Sequence, residues 1–189
     1  MNHLERLVGR NEEIDMELRR ITKSKFLPAN LPSIFIGVHV RFGDFPDRVE
    51  GSDQINFRQP IEWYVEGIQQ LRIVLKGNIP AIVFSDGMDQ ELEPLLKLEN
   101  VVRSPQSEAI SDLFAIARSL VLFTSRSSFS LFGAFLGQVP SIWYEGKKDI
   151  YRKGYLKNDD TELSIEWMPG QLFPDAFLTE LKTRIDCKK

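Results

Sequence analysis

Residues 33–44 read SIFIGVHVRFGD, and the fold turns on this stretch. Ser33 to Val40 is apolar on both alternating faces, the mark of a strand in a parallel sheet covered by helices on each side. His39 and Arg41 close the run. A buried unpaired guanidinium is very costly, so Arg41 either leaves the core at that point or meets an anion there.

Working outward, the same alternation of strand and helix repeats. After a polar, irregular segment from Gly43 to Gln59, PIEWYVEGIQQLRIVLKG predicts a helix opened by Pro60, with Ile61, Tyr64, Val65, Ile68, Leu71 and Leu75 on one stripe. PAIVFSD predicts a second strand, residues 90–98 a short helix disturbed by Pro94, and Val101 and Val102 a brief third strand. SEAISDLFAIARS reads as helix, LVLFT as strand, SSFSLFGAFLG as helix and VPSIWY as the last strand. This order predicts an α/β fold: a doubly wound parallel sheet of Rossmann-like type. Gly133 and Gly137 suit close packing of their helix against that sheet.

Toward the amino end, Leu4, Leu7, Val8, Ile14, Leu18 and Ile21 form an apolar stripe, which predicts a helix over residues 4–22 that covers a face or edge of the sheet. Pro28 and Pro32 then mark a loop. A final helix is expected over about residues 174–186 with Phe177, Leu181 and Ile185 on one side. The organisation expected is a helix and linker over 1–32, a single α/β domain over 33–144, and a C-terminal extension over 145–189 whose helix packs on that domain.

Composition narrows the function classes. The chain has 189 residues, enough for one sizeable core. Its 24 Lys and Arg against 27 Asp and Glu, with no basic block, give no support to a nucleic-acid surface. One cysteine and two histidines make neither a disulfide framework nor a structural zinc site. No apolar run reaches the roughly 20 residues of a membrane span, and the charged amino end does not read as a signal peptide. The expectation is a cytoplasmic chain, not an integral membrane one.

Ligands of parallel sheets bind beyond the carboxyl ends of the strands. Three such ends carry polar groups here: His39, Arg41 and Asp44; Ser85 and Asp86; and Thr124, Ser125, Arg126, Ser127 and Ser128. They are expected to face one cleft. Each residue has a plain structural alternative. His39 is either a satisfied core histidine or a ligand group, and Asp44 is either the internal partner of Arg41 or its support while free donors meet a phosphate. The serines around Arg126 are either helix caps or an anion seat at a helix amino end. Asp86 and Asp112 suit a cap as well as a guanine edge or a sugar hydroxyl pair. No GxGxxG, GxxxxGK[ST] or HExxH is present, so the usual dinucleotide, P-loop and metalloprotease readings lack a motif.

Together these segments resemble the fucosyltransferases that use GDP-fucose, above all the alpha-1,2 type and more distantly the alpha-1,6 and bacterial nodulation types. The family's His-Val-Arg-Arg, small residue, Asp motif is similar to His39, Val40, Arg41, Phe42, Gly43, Asp44, with Phe42 where the second arginine would stand. FRQPIEWYVEGI, IVFSDGM and the span from Asp112 to Leu136 are similar to its downstream segments, so the likeness covers about residues 33–144. It implies the donor-binding half of a GT-B-type glycosyltransferase. On that resemblance Arg41 clamps the diphosphate, with His39 on its sugar side and Asp44 as the motif aspartate. Ser127, Ser128, Phe129 and Ser130, which follow Arg126, match the phosphate turn, and Asp112 and Asp86 match nucleoside contacts. The implied reaction is inverting transfer of fucose to a glycan hydroxyl, with GDP-fucose as donor substrate and no metal or other cofactor. A complete enzyme of this kind has another α/β domain ahead of the motif. Only about 32 residues precede it here, so weak donor binding and slow or no transfer are expected of this chain alone. A sugar-nucleotide or glycan-binding domain without turnover, or an α/β interaction domain, are the rival readings of the same residues.

Overall fold

The computed structural model of the chain describes residues 7, 9–49, 57–106, 108–144 and 164–188. Its centre is β1, Ile36–Val40, in which all five residues are buried. β2 (Ala81–Ser85) pairs with it on one side and β4 (Val121–Thr124) on the other, both parallel. β3 (Val101–Arg103) flanks β2, and β5 (Ser141–Trp143) followed by β6 (Ser164–Glu166) extend the far side. The order β3-β2-β1-β4-β5-β6 is that of the Rossmann fold, so the chain reverses its direction of winding between β1 and β4. The α/β, doubly wound parallel sheet expected from the alternation is what the chain forms.

β6 was not foreseen. It is three residues long and lies beyond residue 144, so the last strand of the sheet comes from the segment read as an extension. Its sequence, Ser-Ile-Glu, carries too little apolar pattern to announce a strand.

Helices cover both faces. α2 (Ile61–Val74), α3 (Asp89–Leu96) and α6 (Asp175–Cys187) cover one, where Ile36, Val38 and Val40 join Trp63, Ile68, Leu92, Phe177 and Leu181 in a single apolar cluster. Pro94 lies inside α3 without ending it. α4 (Ala109–Ile116) and α5 (Ser128–Gly137) cover the other face, where Phe35, Ile82, Phe84 and Leu122 meet Ala115, Ile116 and Ala134. Both β1 faces are thus apolar until His39, which shares its side of the sheet with Phe35.

Two packing expectations change. A Cβ added to Gly133 would lie 2.6 Å from the Ile116 side chain, and one at Gly137 would lie 1.8 Å from the Ala117 carbonyl oxygen. These glycines therefore let α5 close on α4 and its end, not on the sheet. α1 (Asn11–Ile21) is shorter than the stripe suggested, and it covers neither face nor edge of the sheet. Leu7, Ile14 and Leu18 pack on Leu113, Phe135 and Leu136, so the helix forms an outer layer over α4 and α5. Ile21 is exposed, and Leu4 and Val8 lie outside the described residues, as does the segment 145–163.

Candidate functional site

A cleft of about 710 Å³ opens at the carboxyl ends of β1, β2, β3 and β4, on the α4 and α5 side. His39, Arg41, Asp44, Asp86, Asp112, Arg126, Ser127, Ser128 and Phe129 all line it. Nine of the ten residues expected at the ligand site, all but Ser130, thus share one crevice at the switch point. Ser130 is fully buried, its hydroxyl bonded to Thr124 Oγ1 at 2.8 Å and donating to the Ser127 carbonyl at 3.0 Å, so it ties α5 to β4 instead of meeting a ligand.

The turn from β4 into α5 is the most ligand-ready part. Ser127 caps α5 and accepts from the Phe129 amide at 3.2 Å, and Ser128 follows as an exposed hydroxyl. Capping satisfies one of the donors that a helix start leaves open, and the helix dipole adds partial positive charge at the same place. Arg126 stands directly before this end. It is 4% exposed, its guanidinium lies 5.6 Å from the Phe57 ring centre, and its backbone is left-handed at φ 61°. A non-glycine residue in that region is uncommon, and such strain gathers at functional sites.

The loop after β1 is built around Asp86. Its two carboxylate oxygens accept from the Phe42 and Gly43 amides at 2.9 and 3.0 Å, and Arg41 Nη1 lies 2.7 Å from the second oxygen. Burial raises its pKa, but the two amides and the Arg41 charge outweigh this and hold it below the usual carboxylate range. Asp86 thus shapes the loop after β1, and it also lines the cleft. Arg41 is engaged as well, because Nε and Nη2 each lie 2.9 Å from Asp44 Oδ1. One N–H on each terminal nitrogen remains for a ligand. The ion pairs of the plain reading of HVRFGD are present, and Arg41 also lines the cleft.

Phe42 turns inward into the core, and the Arg58 guanidinium covers its ring at 5.3 Å. The apolar residue at that motif position is consequently a packing group.

His39 is 6% exposed, with Nδ1 2.6 Å from Ser125 Oγ and its ring 5.6 Å from that of Phe129. Burial, opposed by Asp86 and aided by Arg41, pushes its pKa down to about 4. The ring is neutral at pH 7.

At the far wall, Asp112 on α4 accepts from Ser104 at 2.5 Å. Burial raises its pKa, against the Ser104 bond and the Arg103 charge. Arg103 donates to the Ser85 and Gly87 carbonyls, both at 2.9 Å, and pairs with Asp89. Arg103, Ser104 and Gln106 line the cleft but were not singled out in the sequence. The strand-end rule applied to β3 would have found the first two. Among the described residues no three His, Cys, Asp or Glu side chains converge as a metal site would need. Nor is any described helix long and apolar enough to cross a membrane.

No protein-family model and no curated protein matches the sequence. Solved structures of similar fold include two from E. coli. The E. coli heptosyltransferase WaaC with ADP is 13% identical with a TM-score of 0.46, over 93% of this chain and 49% of that one. The E. coli ADP-heptose LPS heptosyltransferase II is 15% identical with a TM-score of 0.49, over 95% of this chain and 52% of that one. The chain spans about half the length of these solved chains. Likeness at this level assigns no chemistry to it. Established by its own geometry, the chain forms a Rossmann-like α/β domain with a polar cleft at the point where its winding reverses.

Proposed function

We propose that this chain is the donor-binding domain of a glycosyltransferase and seats the diphosphate of a nucleotide sugar at the amino end of α5. The observation that carries the reading is the coincidence, at one switch-point cleft, of that helix end, the Ser127 and Ser128 hydroxyls and the buried cation Arg126. Helix amino ends bind phosphate through their open N–H groups and dipole, and a guanidinium adds donors matched to phosphate oxygens. Arg41, with two N–H groups left, reaches the same anion from the β1 side.

The finer reading takes GDP-fucose as donor, on the strength of the HVRFGD and Ser-Phe-Ser segments, and assigns Asp112 as acceptor for the guanine edge. In the transfer, an acceptor hydroxyl attacks the sugar carbon while the bond to the β-phosphate oxygen breaks. Charge grows on that phosphate, and the α5 end with Arg126 stabilises it without reorganising, usually the largest contribution such a site makes. Asp44, whose side chain is 71% exposed at the rim, is the carboxylate we assign to the acceptor proton.

Calorimetric titration with GDP, ADP and UDP tests the reading. Saturable binding of GDP in preference to the other two supports the fucose-donor form. Preference for ADP or UDP keeps a nucleotide-sugar domain and removes guanine. Absence of binding by all three removes the proposal. An assay with GDP-fucose and galactoside, N-acetylglucosamine and protein-linked glycan acceptors then separates a transferase from a domain that only binds.

A further inference from the structure

We infer that Ser125 is a positioning residue that locks His39 in its Nε2–H form, making the imidazole a hydrogen-bond donor to a phosphate oxygen in the cleft and not a general base. The donor's identity as a nucleoside diphosphate rests on the reading above; the tautomer does not.

The Ser125 hydroxyl has one hydrogen to donate. The residue is 2% exposed, and among the described residues its hydroxyl has a single partner, His39 Nδ1 at 2.6 Å. If Nδ1 carried the proton, Ser125 Oγ would accept it and the buried hydroxyl hydrogen would be left without an acceptor among the described residues, a loss of the kind native interiors avoid. The bond is satisfied when Ser125 donates and Nδ1 accepts. A neutral ring then carries its proton on Nε2.

Nε2 has no protein partner among the described residues, although His39 is 94% buried by its 6% exposure and lines the cleft. The ring cannot turn freely to swap its nitrogens. Phe129 packs on it at 5.6 Å, and the parallel pairing of β1 with β4 holds the strand ends that carry His39 and Ser125 side by side. The charged groups acting on the ring, Asp86 and Arg41, oppose one another, and burial keeps it neutral. Phe129 also belongs to the first turn of α5, so the Nε2–H is delivered beside the helix end that seats the anion. A donor there complements the α5 amides; a lone pair there would repel the same oxygens.

The test uses the full chain labelled with ¹⁵N-histidine. Only His3 and His39 contribute signals, and a His3→Gln variant assigns them. Long-range ¹H–¹⁵N correlation at pH 7 without ligand is expected to show His39 with Nε2 protonated and Nδ1 bare. A bare Nε2, or rapid averaging of both forms, overturns the inference. In Ser125→Ala the His39 pattern is expected to shift toward the Nδ1–H form or a mixture, and GDP affinity to fall about tenfold, the loss of one hydrogen bond to a charged group. An unchanged tautomer in a folded Ser125→Ala overturns the positioning role; should that variant not fold, the parent spectrum decides. A parent protein with protonated Nε2 that binds no nucleoside diphosphate refutes the diphosphate reading and leaves the lock standing.

Discussion

Replacing Arg126 with glycine separates the anion seat from the fold more cleanly than any other substitution in the cleft. At φ 61° the arginine backbone sits in the left-handed region, which costs a non-glycine residue about 1–2 kcal/mol. Glycine removes that strain but loses more backbone freedom on folding, about 0.5–1 kcal/mol, and gives up the stacking on Phe57, worth roughly the same again. These terms nearly cancel, so a shift in the midpoint of thermal unfolding reports what the other contacts of the buried guanidinium contribute to the fold, about 2–4 °C for each kcal/mol. Binding should respond differently. Loss of a buried hydrogen-bonding charge from its partner costs about 2–5 kcal/mol, which is a rise in Kd of about thirtyfold to a few thousandfold. Calorimetric titration of Arg126→Gly with GDP, beside thermal unfolding of the same sample, reads both. A folded variant whose affinity stays within about threefold of the parent would refute the reasoning and make Arg126 a structural cation.

Three further outcomes follow from the packing and electrostatics. Gly137→Ala forces a Cβ to within 1.8 Å of the Ala117 carbonyl oxygen, and prising α5 from the end of α4 is expected to destabilise the fold by about 1–3 kcal/mol or more in denaturant titration. Asp86→Asn leaves one of the Phe42 and Gly43 amides facing a donor and removes the charge opposite Arg41, so a loss of about 1–3 kcal/mol is expected, with faster amide exchange at both residues. His39, whose pKa falls from 6.5 to about 4, binds fewer protons folded than unfolded between those values. Its contribution to stability is therefore complete above about pH 6.5 and is lost as pH falls toward 4, about 3 kcal/mol in all. Denaturant titrations across that window should show a steeper acid loss for the parent than for His39→Gln.

Five of the six strands were legible because they are short apolar runs bounded by turn residues, and the switch-point cleft because polar residues cluster where those runs stop. His39 and Arg41 end β1 as plainly in the sequence as in the fold. What the sequence does not display is partnership at long separation. Asp86 lies 45 residues from Arg41 yet organises its loop, and no local pattern distinguishes that task from contact with a nucleoside. Ser125 was visible only as one hydroxyl in a polar cluster, since its bond to His39 joins residues 86 apart. The same holds for α5: small residues at Gly133 and Gly137 signal a close approach, but the sequence does not say whether the neighbour is a strand or a helix. Ser130 shows the opposite hazard, a hydroxyl at the right spacing for a phosphate turn that the helical repeat carries around to the buried side.

Amide chemical-shift mapping shows whether a nucleoside diphosphate sits across the switch point with its phosphates at the amino end of α5. In ¹⁵N-labelled protein titrated with GDP, the largest shifts are expected at Ser127, Ser128 and Phe129, with smaller ones at His39 and Arg41, and all should saturate together with one Kd. Shifts absent from the α5 amino end at millimolar GDP, ADP and UDP, or gathered on another surface, would contradict the account.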